Sequence, residues 1–141
     1  MATRLAAMKG IPVIELDSLF WVPGKKGTRP ARWAAIQADL VKAPEWILDG
    51  DLGPYDVVEP RLRAADAIIV LDFSLVRSLW RALRRSPERL DFWRWLITWR
   101  RRSRPFLMAA IAREAPNAEV YVLRTPKEVR RFLSDESASV S

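Results

Sequence analysis

The chain has 141 residues and a mass of 16.2 kDa, and half of its residues are hydrophobic. This size and composition predict one domain with a hydrophobic core. It contains no cysteine and no histidine, which excludes disulfides, thiolate metal sites, cysteine catalysis and histidine-dependent triads. Its formal charge of +7 predicts an anionic partner: a nucleotide phosphate, a nucleic acid or a membrane surface. No apolar run approaches the ~20 residues that cross a bilayer, so no membrane span is predicted. The absence of cysteine favours a cytoplasmic location.

The first half of the chain alternates predicted helices with short apolar strands. The predicted elements are a helix at 2–9, a strand at 11–16, a basic loop at 18–29, a helix at 30–42 and a strand at 46–48. Gly10 ends the first helix, and the 30–42 helix carries Trp33 and Ile36 on its apolar side. The second strand leads directly into Asp49, Gly50 and Asp51.

The second half is richer in arginine and in helix. The predicted elements are a short helix or turn at 57–64, a strand at 67–71, helices at 74–85, from 86 to about 99 and at 106–114, a strand at 119–123, and a helix at 127–133 followed by a frayed tail at 134–141. The continuously apolar strand at 67–71 is typical of a strand that is buried on both faces. Arginines crowd the segment from Arg77 to Arg104.

Three apolar strands each end in an aspartate: Asp17, Asp49 and Asp72. In open α/β sheets, ligands bind beyond the carboxyl ends of the strands. A carboxylate delivered to that edge can hold a magnesium ion or position a water molecule. The pattern therefore predicts an α/β fold with one parallel sheet and one active edge.

The order of these elements resembles the small P-loop kinases of the adenylate kinase superfamily, in the branch labelled adenylate kinase-like or DNA topology modulation protein. The segments that carry the resemblance are 10–17 with 19–21, 46–50, 65–72 with Arg77, Arg81 and Arg85, and 122–133. The resemblance covers nearly the whole chain. It implies a three-layer sandwich around a parallel sheet, and an ATP- and Mg²⁺-dependent phosphotransferase that acts on a nucleotide or a small hydroxylated acceptor.

The resemblance also implies roles for particular residues. Asp49 would organise Mg²⁺ and Asp17 would face the phosphoacceptor, and these two are the catalytic candidates. The helical, arginine-rich segment at about 86–105 would act as a lid. The nucleotide- and phosphate-binding candidates are Arg81, Arg85, Arg100, Arg101, Arg104 and Lys127.

The sequence departs from this family at one essential point. It contains no Gly-x-x-x-x-Gly-Lys-Ser/Thr loop, and Met1 falls where the family is already inside the helix after that loop. Residues 1–141 are therefore expected to form a single, N-terminally truncated domain that lacks the central first strand and is inactive as it stands. Three explanations remain: a true start further upstream, strands that re-pair or borrow a partner's strand within an oligomer, or a decaying gene remnant.

Each functional interpretation has a structural alternative. Asp17 and Asp49 could cap turns, and Asp72 is better explained as the cap of the helix that follows it. Arg81 and Arg85 could lie on a solvated face beside Glu88 or Asp91, the arginine run could be a solvated surface, and the tryptophans at 93, 95 and 99 are typical of a helix core. The rival functions are a non-catalytic, basic nucleic-acid-binding module and an inactive truncated domain.

Overall fold

The computed structural model describes residues 1–22, 26–72, 94 and 98–140, and these residues form a mixed α/β arrangement. The helices are α1 (Ala2–Lys9), α2 (Leu16–Phe20), α3 (Pro30–Leu40), α4 (Glu59–Ala64), α5 (Arg104–Glu114) and α6 (Pro126–Val140). The strands are β1 (Val13–Glu15), β2 (Trp21–Val22), β3 (Lys26–Gly27), β4 (Ile47–Asp49), β5 (Ala67–Leu71) and β6 (Glu119–Leu123). A 3₁₀ turn spans Gly53–Tyr55, and a π-helical turn at Trp99–Ser103 leads into α5. Within these ranges no helix is both long and apolar enough to cross a membrane.

The described strands form two separate parallel pairs and a short antiparallel hairpin. Strand β1 pairs with β4 from Val13↔Ile47 to Glu15↔Asp49, and β5 pairs with β6 from Ala67↔Glu119 to Leu71↔Leu123. The hairpin joins β2 to β3. The predicted α/β class is confirmed, whereas a single parallel sheet is not found among the described residues.

The first hydrophobic cluster lies around α2 and α3. Its buried members are Leu16, Phe20, Trp33 and Leu52. The rings of Phe20 and Trp33 meet edge to face, with their centroids 5.2 Å apart. The apolar face predicted for α3 therefore faces this core, although Gln37, on the same face, is also fully buried.

The second hydrophobic cluster joins β5 and β6 to α4 and α5. Its buried members are Val58, Leu62, Val70, Ala110, Ile111 and Ala115. Val57 packs on the first cluster while Val58 belongs to the second, so the chain between the 3₁₀ turn and α4 connects the two cores. The prediction that β5 is buried on both faces is wrong: only Val70 is buried, and Ala67 and Leu71 at its ends are exposed.

Two predicted loops are regular structure instead. In the 18–29 segment, α2 continues to Phe20 and the β2–β3 hairpin follows. The hairpin is closed by Thr28, whose backbone N–H and hydroxyl both donate to the Phe20 carbonyl. The predicted tail at 134–141 is helical through Val140, and Glu136 on it forms an ion pair with Lys9 of α1. The predicted helix at 74–85 and most of the next one, residues 86–93 and 95–97, lie outside the described residues.

A buried polar network fixes the chain from α3 to α4. The Asp56 carboxylate accepts hydrogen bonds from Trp33 Nε1 at 3.1 Å and from Arg61 Nη2 at 2.6 Å, and also from the Leu52 N–H at 3.2 Å. The Asp56 side chain is 2% exposed and that of Arg61 is 12% exposed. Gln37 completes the network, because its Oε1 accepts from Arg61 at 2.7 Å and its Nε2 donates to the Val57 carbonyl. The 52–61 segment is therefore held at several points along its length.

The network also sets the ionisation of Asp56. Burial by itself raises the pKa of Asp56, but the hydrogen bonds and positive charge of Arg61, with the Trp33 and Leu52 donors, together outweigh it and hold the pKa below its ordinary value of 3.8. A carboxyl whose folded pKa is depressed contributes stability above its unfolded pKa and loses that contribution as the pH falls through the folded pKa. The stabilisation from Asp56 is therefore complete at neutral pH and lost below pH 3.8.

We expect Asp56→Asn to lower the free energy of unfolding at neutral pH by about 3–5 kcal/mol, because Arg61 would keep its buried charge without a partner. The loss should shrink as the pH falls below 3.8, because the wild-type carboxyl then becomes protonated as well. Urea unfolding at several pH values measures both effects. The control is Asp39→Asn, because Asp39 pairs with Lys42 in a 73% exposed position and should matter little. Equal losses in the two variants would contradict the account.

Candidate functional site

The two predicted catalytic acids, Asp17 and Asp49, lie at the carboxyl end of the β1–β4 pair. Asp49 is the last residue of β4, in register with Glu15 of β1, and both are exposed. Asp17 lies in the first turn of α2 rather than in a loop. A Cβ placed on Gly50, whose φ is +138°, would lie 3.2 Å from the Leu16 Cβ and 3.7 Å from the Asp17 nitrogen. The backbone after Asp49 therefore packs directly against the start of α2, which places Asp17 and Asp49 at the same edge.

A cavity of about 280 Å³ lies beside the loop that follows β4. The lining residues are Asp51, Gly53, Asp56, Val58, Arg102, Ser103, Phe106 and Leu107. The Gly53 N–H donates to Asp51 Oδ1 at 2.8 Å, and a Cβ on Gly53 would lie 4.0 Å from Ser103 Oγ. The acidic loop after β4 and the residues just before α5 thus line the same cavity and approach each other at Gly53 and Ser103.

A buried carboxylate, that of Asp72, binds the first residue of α5. Asp72 follows β5 directly, and its side chain is 3% exposed. Arg104 Nε donates to Asp72 Oδ2 at 2.9 Å, and Arg124 Nε lies 3.9 Å from the same oxygen. Asp72 Oδ1 is buried without a hydrogen-bond partner among the described residues. Arg104, predicted to bind phosphate, is therefore already engaged by a carboxylate.

These contacts place the carboxyl ends of β4 and β5 on the same side of the molecule. Arg102 and Ser103 line the cavity opposite Asp51, and Arg104, the next residue, binds Asp72. Residues 101–104, here named the arginine turn, therefore lie between the two strand ends. Turns of π-helix occur frequently at functional sites, and Trp99–Ser103 is one.

The other predicted phosphate-binding residues either lie around this edge or are not among the described residues. Arg101 is exposed, and Lys127 is exposed in the first turn of α6, directly after β6. The start of α6 is capped, since the Glu128 N–H donates to Thr125 Oγ1 at 3.2 Å and Glu128 Oε2 accepts from the Arg124 N–H at 2.6 Å. Arg81, Arg85 and the side chain of Arg100 lie outside what the structure describes. The helix that Asp72 was predicted to cap lies there too.

The carboxylates at this edge are too few to bind Mg²⁺ alone, but they could bind it together with a ligand that carries phosphate. Within the described ranges, no three acidic side chains are grouped so that they could hold a metal ion by themselves. Mg²⁺ usually takes one or two carboxylates and completes its shell with water and substrate phosphate oxygens. The exposed Asp49 carboxylate, with Glu15 beside it in register, can supply that smaller donor set.

Several residues at this site were missed in the sequence. The Asp72–Arg104 pair joins residues 32 positions apart, a separation that no local pattern reveals. Asp56 and Arg61 are five residues apart, but their pairing depends on Gln37 and Trp33 from a distant helix. The sequence analysis did not identify Tyr55 or Phe106 as functional candidates, although each is an aromatic residue that directly follows a proline.

We expect Asp72→Asn to lower the free energy of unfolding by about 1–3 kcal/mol, because the buried partner of Arg104 loses its charge. The amides of residues 101–107 should also exchange faster with solvent, since the arginine turn would lose its anchor. Hydrogen exchange followed by mass spectrometry measures this. The control is Asp66→Asn, an exposed acid at the other end of β5. Unchanged exchange in Asp72→Asn would show that the ion pair does not hold the turn.

Comparisons of the chain with protein-family models, with curated proteins and with solved structures gave no match. The function is therefore inferred from the residues and their geometry. The arrangement to be explained has two parts: a small cavity that Asp51, after β4, lines together with Arg102 and Ser103 of the arginine turn, and the exposed acids at the neighbouring carboxyl end of the β1–β4 pair.

Proposed function

We propose that the chain carries the acceptor and magnesium side of an ATP-dependent phosphotransferase of the adenylate kinase type, acting on a nucleotide or a small hydroxylated compound. One observation carries the proposal: the ends of β4 and β5 lie on either side of the arginine turn, so acids and arginines line one edge. Phosphoryl transfer depends mostly on positioning and charge neutralisation, and these are the residue types that it needs.

The residues take separate roles in this proposal. Asp17 faces the acceptor hydroxyl and accepts its proton as the oxygen attacks the terminal phosphorus and the bond to ADP breaks. Asp49 holds Mg²⁺ through its carboxylate, and the ion neutralises phosphate charge when it is bound. Arg101, Arg102 and Lys127 are exposed at this edge and can contact phosphate oxygens. Arg104 is also a proposed phosphate contact, but it forms an ion pair with Asp72 as well. The proposed phosphate contacts further include Arg81, Arg85 and Arg100.

We also propose that the complete fold is a three-layer sandwich around one parallel sheet. A strand inserted between β4 and β5, parallel to both, would join the two pairs into the single sheet of a three-layer sandwich. Two-stranded parallel sheets are rarely stable alone, because parallel sheets are normally covered and extended on both sides. The sequence has no glycine-rich phosphate loop, so we expect this chain to bind Mg²⁺–ATP weakly and to turn over none. A strand contributed by a second molecule would fill the gap in the sheet, and the folded form would then be an oligomer.

A second candidate is a nucleic-acid-binding module, which the basic surface of α6 favours. Arg124, Lys127, Arg130 and Arg131 are all exposed along the start of this helix. Such a surface would neutralise several phosphates, and its affinity for duplex DNA would fall steeply as the salt concentration rises. A flat salt dependence would exclude this candidate.

At a concentration of Mg²⁺–ATP far above its Kd we expect the melting temperature of the chain to rise, since a ligand at 100 times its Kd adds roughly 2.7 kcal/mol to the free energy of unfolding. Asp49→Asn should remove the magnesium-dependent part of this shift, and Asp39→Asn should leave it unchanged. Thermal unfolding with ATP, with and without Mg²⁺, measures the effect. A cooperative melt that Mg²⁺–ATP does not move would contradict the proposal.

The reaction itself is tested with an extended chain. A strand and a glycine-rich phosphate loop joined to the N-terminus should produce ATP turnover that Asp17→Asn and Asp49→Asn abolish. A folded extended chain without turnover would remove the phosphotransferase proposal.

A further inference from the structure

Three aromatic side chains in the part of the chain that contains the cavity are unusually exposed for their size. Tyr55 is 64% exposed, Phe106 59% and Trp21 45%. Phe106 lines the cavity, and Tyr55 belongs to the 3₁₀ turn whose Gly53 also lines it. The Trp21 ring meets Tyr55 edge to face at 6.3 Å and Phe20 at 4.9 Å. Trp21 and Tyr55 are therefore linked to the first hydrophobic cluster through Phe20, and Phe106 presents an exposed ring at the cavity itself.

The cavity combines an apolar floor with a few polar groups. Val58, Leu107 and Phe106 provide apolar surface. Asp51 provides a carboxylate, Ser103 a hydroxyl and the exposed Arg102 a positive charge. Asp56 also reaches the lining, where its carboxylate accepts from Arg61 and Trp33. A ligand that matches these groups has a flat apolar face, hydrogen-bond donors on its edge and a negative charge.

The volume restricts the size of the group that enters. Ligand pockets usually measure about 300–1,000 Å³. The cavity holds about 280 Å³, just below that range, which suits a single ring system better than a whole drug-sized molecule. A nucleobase fits this description: its π face stacks on aromatic rings, its amino group donates to carboxylates and its phosphate lies outside the ring.

We propose that this cavity is a nucleobase subsite, in which the base stacks on Phe106, its exocyclic amino group donates to Asp51 and its phosphate faces Arg102. Tyr55, two residues after the lining residue Gly53 in the same 3₁₀ turn, would provide a second ring for stacking. The subsite rests on the proposed function only in taking the ligand to be a nucleotide. The base could belong to a free mononucleotide or to a single-stranded nucleic acid, since both present the same face, edge and phosphate.

The test measures the binding of four probes to the full chain by equilibrium dialysis: adenosine, ATP, inorganic tripolyphosphate and a short single-stranded oligoadenylate. We expect ATP to bind about tenfold or more tightly than tripolyphosphate, because stacking adds to the phosphate contacts. Phe106→Ala should reduce ATP to the level of tripolyphosphate and abolish adenosine binding. Phe106→Trp, which keeps an aromatic face, should retain both.

A matched control and a check on folding accompany these variants. Val120→Ala removes an exposed apolar side chain on β6, 40% exposed and outside the cavity, and should change no affinity. Because Phe106 is exposed, its replacement should leave the thermal melt unchanged. Tyr55→Ala provides a second aromatic truncation, in the 3₁₀ turn that contains Gly53, and should weaken adenosine binding in the same direction.

The outcomes separate this subsite from the phosphotransferase proposal. Equal binding of ATP and tripolyphosphate, unaffected by Phe106→Ala, would overturn the base subsite while leaving the phosphate site in place. Adenosine binding that depends on Phe106, without any binding of tripolyphosphate, would support the subsite and count against phosphoryl transfer. Binding of no probe would overturn both. Oligoadenylate bound more tightly than ATP would assign the base to a nucleic-acid strand, and the reverse order would assign it to a free nucleotide.

Discussion

The position of the arginine turn depends on one buried carboxylate, Asp72. Its side chain is 3% exposed, so its charge is tolerable only because Arg104 and Arg124 approach one of its oxygens. This pairing ties the start of α5 to the end of β5. Arg102 and Ser103 are consequently brought opposite the loop after β4, and the cavity between them exists because of that anchor.

The opposite wall has an anchor of its own. Asp56 and Arg61 form a second buried ion pair, and Trp33, Gln37 and the Leu52 amide satisfy the remaining bonds. Buried polar networks that are fully satisfied make the backbone around them rigid. Both walls are therefore held by charge pairs beneath the surface, while Asp49, Arg101 and Phe106 remain exposed. Rigid support beneath exposed polar and aromatic groups is what a preformed binding site requires.

Local patterns predicted the elements whose signal is local. The spacing of Trp33 and Ile36 placed α3, and the run Ala67–Leu71 placed β5 to the residue. The pairing of the strands was beyond such patterns: two parallel pairs were found where one sheet was expected. The helical end of α6 was missed because its serines suggest a frayed tail, whereas packing against α1 and the Lys9–Glu136 pair stabilise it. At the site, the strand-end acids were predicted, but the Asp72–Arg104 pair and the exposed rings depend on tertiary contacts.

The central claim is that the loop after β4 and the arginine turn face each other across the cavity. The absence of cysteine allows a direct test, because any disulfide must join introduced residues. A Cβ on Gly53 would lie 4.0 Å from Ser103 Oγ, so the double variant Gly53→Cys and Ser103→Cys should close a disulfide on mild oxidation. The left-handed backbone at position 53 would cost the cysteine about 1 kcal/mol, which is too little to prevent closure. Non-reducing peptide mapping of the monomer should show the cross-link. Two free thiols after oxidation, in a folded protein, would contradict the account.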